Sequence, residues 1–235
     1  MKNSTLMLMV GMACAAAGFA SYRYAHRDSA TTRTIATAEA PKADSEALSA
    51  GAEAQSAPAT RVVPETVPDL KLPGIDGKLR ALNEFGGGPR IINFWATWCA
   101  PCRREIPLLN ELQARHRSEH LKVLGIAVDL RDAVAEFTKT THFDYPLLMG
   151  EKEGAEAASR FGMDVVLPFS IFADAQDRVI AVKVGELHRE EADAILDNMR
   201  QLAGGQIGLA DARQRINERL KQLAVQRSKK SAQSG

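Results

Sequence analysis

Arg90-Ile91-Ile92-Asn93-Phe94-Trp95-Ala96-Thr97-Trp98-Cys99-Ala100-Pro101-Cys102-Arg103 is the stretch on which the reading of this 235-residue chain turns. Arg90–Ala96 is a short, mostly apolar run, the pattern of a buried strand. Two cysteines separated by two residues follow. The segment from about Cys99 to Arg117 then places Ile106, Leu109 and Leu112 on one helical face, and Pro107 is expected to kink it. A strand running in and a helix running out put Cys99 at a helix N-terminus, with Cys102 one turn inside. The helix dipole and the free backbone N–H groups there favour a thiolate on Cys99. Such a thiolate attacks a disulfide to form a mixed disulfide, which the inner thiol resolves. Pro101 lacks an N–H and fixes φ, which stiffens the turn between the cysteines.

The third cysteine, Cys14, is distant in sequence. A bridge closing a four-residue ring removes little entropy from the unfolded chain, so the pair is reactive or metal-binding rather than a structural staple. Zinc needs four ligands. The histidines at 26, 116, 120, 142 and 188 show no ligand spacing relative to the pair, and no metal is expected. No cofactor is expected beyond a redox-active Cys99–Cys102 disulfide. A peroxidase with one peroxidatic cysteine is the competing chemistry. Trp98 before the first cysteine and the nearby second one favour dithiol exchange.

Upstream, Leu70–Leu82 alternates apolar positions around Asp76-Gly77, a hairpin signal. Downstream, Lys122–Asp129 reads as a buried strand. Asp132–Thr141 reads as a helix that Asp132 is placed to cap. Tyr145–Met149 is a short strand and Gly154–Phe161 a short helix. Phe169–Ala173 and Val179–Val184 are strands either side of Asp174–Asp177. Arg189–Ala203 is a helix ended by Gly204-Gly205. Helix-connected strands followed by a final hairpin predict an α/β fold: a central mixed sheet flanked by helices, with an added N-terminal β-hairpin.

Four regions are expected: 1–27, 28–61, 62–205 and 206–235. In the first, Lys2 precedes an uncharged apolar run from Leu6 to Ala20. Two readings compete: a membrane anchor extended by Tyr22 and Tyr24, and a signal peptide cut after Ala20. A lipoprotein site at Cys14 fits poorly because the apolar run continues past it. Arg23, Arg27 and Arg33 run against an outward-facing anchor under the positive-inside rule. Residues 28–61 are poor in large apolar side chains and read as a flexible tether. Residues 206–235 carry seven Lys/Arg against two acids. Leu209, Ile216, Leu220 and Leu223 have helical spacing there, so a short amphipathic helix is expected. That segment reads either as a solvated tail or as a docking segment for an anionic membrane face or an acidic partner. The whole-chain net charge of +1 gives no case for nucleic acid as a partner.

Phe94-Trp95-Ala96-Thr97-Trp98-Cys99-Ala100-Pro101-Cys102-Arg103 resembles the active-site stretch of the TlpA/ResA-like branch of the thioredoxin proteins. The resemblance spans about Val67 to Leu202, and it implies a thioredoxin fold. Asn93 stands where ordinary thioredoxins keep a buried aspartate, as in the TlpA-like branch. Leu167-Pro168 falls where the family keeps a cis-proline facing the dithiol, and Asp174–Asp177 matches the turn before its penultimate strand. By resemblance, Leu167 offers backbone groups to an extended substrate segment. Phe169 departs from the Thr or Ser usual after that proline. Asn93 cannot shuttle a proton to Cys102. Some relatives use an acid after the next strand, for which Asp129 is the candidate; its other reading is a strand-end or capping aspartate.

The resemblance further implies a thiol–disulfide oxidoreductase of the bacterial periplasm, tethered to the inner membrane or soluble there. It acts on protein thiols and disulfides and is fed by a DsbD-like membrane electron donor. Family substrates are apocytochrome c and the copper-site cysteines of oxidases. Ala100-Pro101 offers no side chain to stabilise the thiolate further, so a reductant is expected. The alternatives are a disulfide-forming oxidase or isomerase, and a thioredoxin-fold binding module that uses its dithiol little.

Overall fold

A computed structural model describes residues 62–164 and 166–233. The expected membrane segment 1–27 and tether 28–61 lie outside the described residues. Among the described residues no helix is long and apolar enough to cross a membrane.

The chain opens with a two-stranded antiparallel sheet, β1 (Lys71–Pro73) and β2 (Leu79–Ala81). Its turn is closed by Gly74 N–H donating to the Lys78 carbonyl and by Lys78 N–H donating to the Asp76 carboxylate. Gly77 sits there at φ +79°, a left-handed value that glycine adopts without penalty. A five-stranded mixed sheet follows. Its strands are β3 (Arg90–Trp95), β4 (Lys122–Ala127), β5 (Leu147–Met149), β6 (Phe169–Ala173) and β7 (Val179–Val184), in the spatial order β5-β4-β3-β6-β7. β3, β4 and β5 are mutually parallel, whereas β6 runs antiparallel to β3 and β7 antiparallel to β6. The helices are α1 (Ala100–Arg115), α2 (Arg131–Phe137), α3 (Glu151–Arg160), α4 (Arg189–Ala203) and α5 (Leu209–Gln233).

All six residues of β3 are buried, because helices cover one face of the sheet and α3 with β1 covers the other. Side chains alternate across a strand. Ile91 and Trp95 therefore enter a core with Leu109 and Leu112 of α1 and with Ile195 and Met199 of α4. Ile92 and Phe94 enter the opposite core, with Leu72, Ala157 and Phe161. Asn93 has the parity of Ile91 and Trp95, so it faces α1. That one-residue fact decides what lies beneath the dithiol.

Three expectations need correction. Asp132 does not cap α2: the N-cap is Leu130, with no side-chain cap bond, and Asp132 is inside the first turn. The helix also stops at Phe137, since a seven-residue segment with Val134 as its one fully buried side chain has little packing to extend it. The C-terminal helix is not short. α5 runs 25 residues, burying Ala212, Ile216 and Leu223 against the domain. Arg213 anchors it, its guanidinium donating to the Val179 carbonyl at 2.6 Å and pairing with Glu65 at 2.7 Å. Of the two readings of residues 206–235, a solvated tail does not describe their first two-thirds, which complete one face of the fold. Ile216→Ala is expected to lower stability by about 2–4 kcal/mol, because the side chain is fully buried. A urea midpoint unchanged by the substitution would show that α5 adds nothing to the core.

Candidate active site

α1 starts where β3 has ended, after the loop Ala96–Cys99. Cys99 is the N-cap of α1 in extended conformation, and Pro101 occupies the first turn, where a missing N–H costs nothing. The Cys99 and Cys102 side chains are joined in a disulfide with a Cα–Cα distance of 5.3 Å. Cys99 Sγ accepts a hydrogen bond from the Cys102 N–H at 3.3 Å. This is the N-cap interaction that would hold a thiolate once the bond is reduced. Cys102 is completely buried, whereas Cys99 retains 5% exposure. Beside it, Trp98 is 66% exposed and Ala100 is exposed. Attack from outside therefore has one sulfur to reach.

Strand register brings the second part of the site to the same end of the sheet. Phe94 pairs with Phe169, so the residues preceding β6 lie beside the end of β3 that leads to Cys99. Leu167-Pro168 is there, and its peptide bond is cis. The Pro168 carbonyl accepts from Gly185 N–H at 2.8 Å, which ties this turn to the loop before α4. Leu167 is partly buried against the core that holds both cysteines, and Val166 before it is exposed.

One helical turn after Cys102 lies a buried residue that the sequence reading missed. Glu105 of α1 is 2% exposed. Asn93 Nδ2 donates to its Oε1 at 2.7 Å, and the Leu187 N–H donates to its Oε2 at 2.6 Å. Asn93 Nδ2 also reaches Ser170 Oγ at 3.0 Å, its direct neighbour in the β3–β6 register. Burial outweighs these two hydrogen bonds and pushes the Glu105 carboxyl up to about 7. Glu105 is three residues after Cys102, so the two occupy one helix face. Its signal was legible: it is a single acid in the stripe Cys102, Ile106, Leu109, Leu112. Tyr145 feels the same carboxylate, and burial together with that charge raises its hydroxyl pKa.

Asp129 is nearly buried just after β4. Its carboxylate accepts from Thr97 N–H at 2.8 Å, Thr97 Oγ at 2.6 Å and Leu130 N–H at 2.7 Å. It therefore holds the loop two residues before Cys99. Among the described residues no cluster of His, Cys, Asp and Glu is arranged to hold a metal ion.

The AhpC/TSA family profile matches residues 63–183. The chain belongs to the AhpC/TSA family. Within it, this chain is similar to the thiol-disulfide oxidoreductase ResA of Bacillus thuringiensis subsp. konkukian, with 30% identity over 130 residues covering 55% of this chain and 73% of that relative. It is also similar to ResA of Geobacillus kaustophilus, with 26% identity over 139 residues covering 59% of this chain and 78% of that one. A thiol:disulfide interchange protein of the thioredoxin family from Chlorobium tepidum superposes with a TM-score of 0.50. It has 31% identity, over 60% of this chain and 96% of that one. A family member with these relatives and the Cys99–Cys102 pair at a helix N-terminus is a thiol–disulfide oxidoreductase of the TlpA/ResA-like kind, on a thioredoxin fold. The relatives' names point to dithiol exchange rather than peroxide reduction.

Proposed function

We propose that this family member is a protein-disulfide reductase working through Cys99 and Cys102, with Glu105 as its proton acceptor. The observation that carries the reading is a buried carboxyl, titrating near neutrality, one helical turn after the buried cysteine. In the reduced enzyme, the Cys99 thiolate attacks one sulfur of a substrate disulfide and expels the other as a thiolate. Cys102 then attacks Cys99 Sγ. For that it must give up its proton, and ionised Glu105 takes it. The second substrate thiolate leaves, and two electrons have passed from the enzyme dithiol to the substrate. Asn93 and the Leu187 N–H hold Glu105 in place, while Trp98, Ala100 and Pro101 frame the accessible sulfur. The cis Leu167-Pro168 turn presents backbone to an extended substrate segment, as in strand addition.

Direction follows from charge. A carboxylate near the dithiol disfavours the thiolates and so stabilises the disulfide. Ala100-Pro101 adds nothing that would offset it. Both effects favour a reductant over an oxidase or isomerase. A periplasmic location, tethering by residues 1–27 and a DsbD-like electron donor belong to this proposal. Apocytochrome c or copper-site cysteines are its substrate classes; the tether rests on the apolar run Leu6–Ala20 and the rest on the likeness to ResA. Thiol-dependent turnover on insulin tests the enzyme reading: turnover abolished by Cys99→Ser supports it, and turnover absent in the unaltered chain overturns it in favour of a binding module.

Asp129 acts on the dithiol through Thr97, which makes it a positioning residue. Asp129→Ala removes three charge-assisted hydrogen bonds and is expected to lower stability by about 2 kcal/mol. Asp129→Asn separates holding from tuning. A changed Cys99 thiol titration supports the tuning role, whereas an unchanged one leaves only the holding of the loop.

A further inference from the structure

The surplus positive charge of α5 is placed by the fold. Arg213 contacts the start of β7 at Val179, at the end of the sheet away from the dithiol. Fourteen residues later, Arg227 pairs with Glu191 at 3.0 Å. Glu191 is buried in the first turn of α4, where it also accepts from His188 N–H at 3.0 Å and faces Lys183 Nζ at 3.6 Å. Leu187, just before His188, donates to Glu105, and Gly185 donates to Pro168. α5 therefore runs alongside β7 toward the exchange end and is gripped one turn from the loop that supports both Glu105 and the cis-proline.

The helix continues for six described residues beyond Arg227, to Gln233. At 1.5 Å per residue this puts Lys229 and Lys230 about 3 to 5 Å past the grip and Gln233 about 9 Å past it. From Arg219 to Gly235 the chain has five basic residues and no acid. Lys230, in the last turn, complements the helix dipole. The dipole does not account for Lys221 or for Val225, which is 53% exposed and shares their outward face with Lys229 at four-residue spacing. Beside Cys102, Arg103 adds an exposed cation, while Glu186 is paired with Arg104. Glu190 is the exposed acid on the first turn of α4.

We propose that the C-terminal end of α5 is a docking rim for an acidic segment of the protein whose disulfide is presented to Cys99. The inference rests on the reductase reading. Its position beside the exchange loop favours a protein substrate over an anionic membrane. The basic end attracts acidic sequence flanking the target cysteines, and the dithiol then acts on the bond so delivered.

The test uses the full chain, reduced, and three synthetic peptides. Each has one intramolecular disulfide, flanked by four Glu, four Gln or four Lys. The Glu peptide is expected to react about 10-fold faster than the Gln peptide at low salt, the advantage disappearing near 0.5 M NaCl. Lys229→Glu/Lys230→Glu is expected to erase or reverse that preference and leave the Gln peptide rate unchanged. Lys229→Gln/Lys230→Gln, which keeps side-chain bulk, is expected to reduce it. Equal rates on all three peptides, or a preference the variants keep, overturns the rim. Binding of the full chain to phosphatidylglycerol vesicles that depends on these lysines, with equal peptide rates, assigns the surface to a membrane instead. If none of the peptides is reduced, it is the reductase reading that falls, and the rim with it.

Discussion

Cys102→Ser is expected to stop turnover and to leave Cys99 covalently joined to its substrate. Cys99 is the sulfur with an opening to solvent and the one held by a backbone N–H at the start of α1, so it makes the first attack. Cys102 is fully buried beneath it, and its only task is to break the mixed disulfide. A serine hydroxyl in its place does not displace a sulfur, so the first step survives and the second is lost. Steady-state rates should fall by about 1,000-fold or more. A disulfide-linked adduct, released by dithiothreitol, should accumulate. Cys99→Ser should lose turnover without forming any adduct. The asymmetry between the two variants, read by non-reducing electrophoresis and intact mass, is the signature. Adducts on the Cys99→Ser variant would reverse the assigned roles.

Glu105→Gln has the second large expected effect, and it appears in two readouts. The first is stability. The folded carboxyl holds its proton up to about pH 7, while the unfolded one releases it near 4.5. A raised acid pKa contributes stability that is full below pH 4.5 and is lost as pH rises through 7. The difference is on the order of 3 kcal/mol. The oxidised protein should therefore have a lower urea midpoint at pH 8 than at pH 4.5, and the glutamine variant should lack that part of the decline. The second readout is catalysis. Without an acceptor for the Cys102 proton, resolution at pH 8 should slow by about 100-fold. The potential should move toward the oxidising side, because the charge opposing the thiolates is gone. A glutamine variant that kept the parent's pH profile of both stability and rate would remove Glu105 from the mechanism.

Much of the site was legible because its signals are local. Arg90–Ala96 reads as a buried strand, and Cys99–Cys102 falls at the following helix start whatever the remainder of the chain does. The position of Pro168 needed more. No local rule places it near Cys99; the resemblance implied it, and the β3–β6 register accounts for it. Glu105 was missed because an acid inside a helix usually faces solvent, and its burial depends on two partners outside its own helix, Asn93 and Leu187. The extent of α5 was missed for a similar reason. Its apolar face is sparse, and Arg213 holds it through a backbone carbonyl of β7, a contact no periodicity reveals. At Asp132 the capping rule named a reasonable residue two positions too late, since the N-cap is Leu130 and the helix begins at Arg131.

The measurement that bears most directly on the whole account is the equilibrium redox potential of the Cys99–Cys102 pair in the full chain, titrated against glutathione or dithiothreitol. A carboxylate beneath the dithiol and an Ala-Pro turn between the cysteines predict a value near about −270 mV, in the range of thioredoxin. A value near about −120 mV, in the range of the strong oxidant DsbA, would contradict the assigned direction and make this family member a source of disulfides rather than a sink for them.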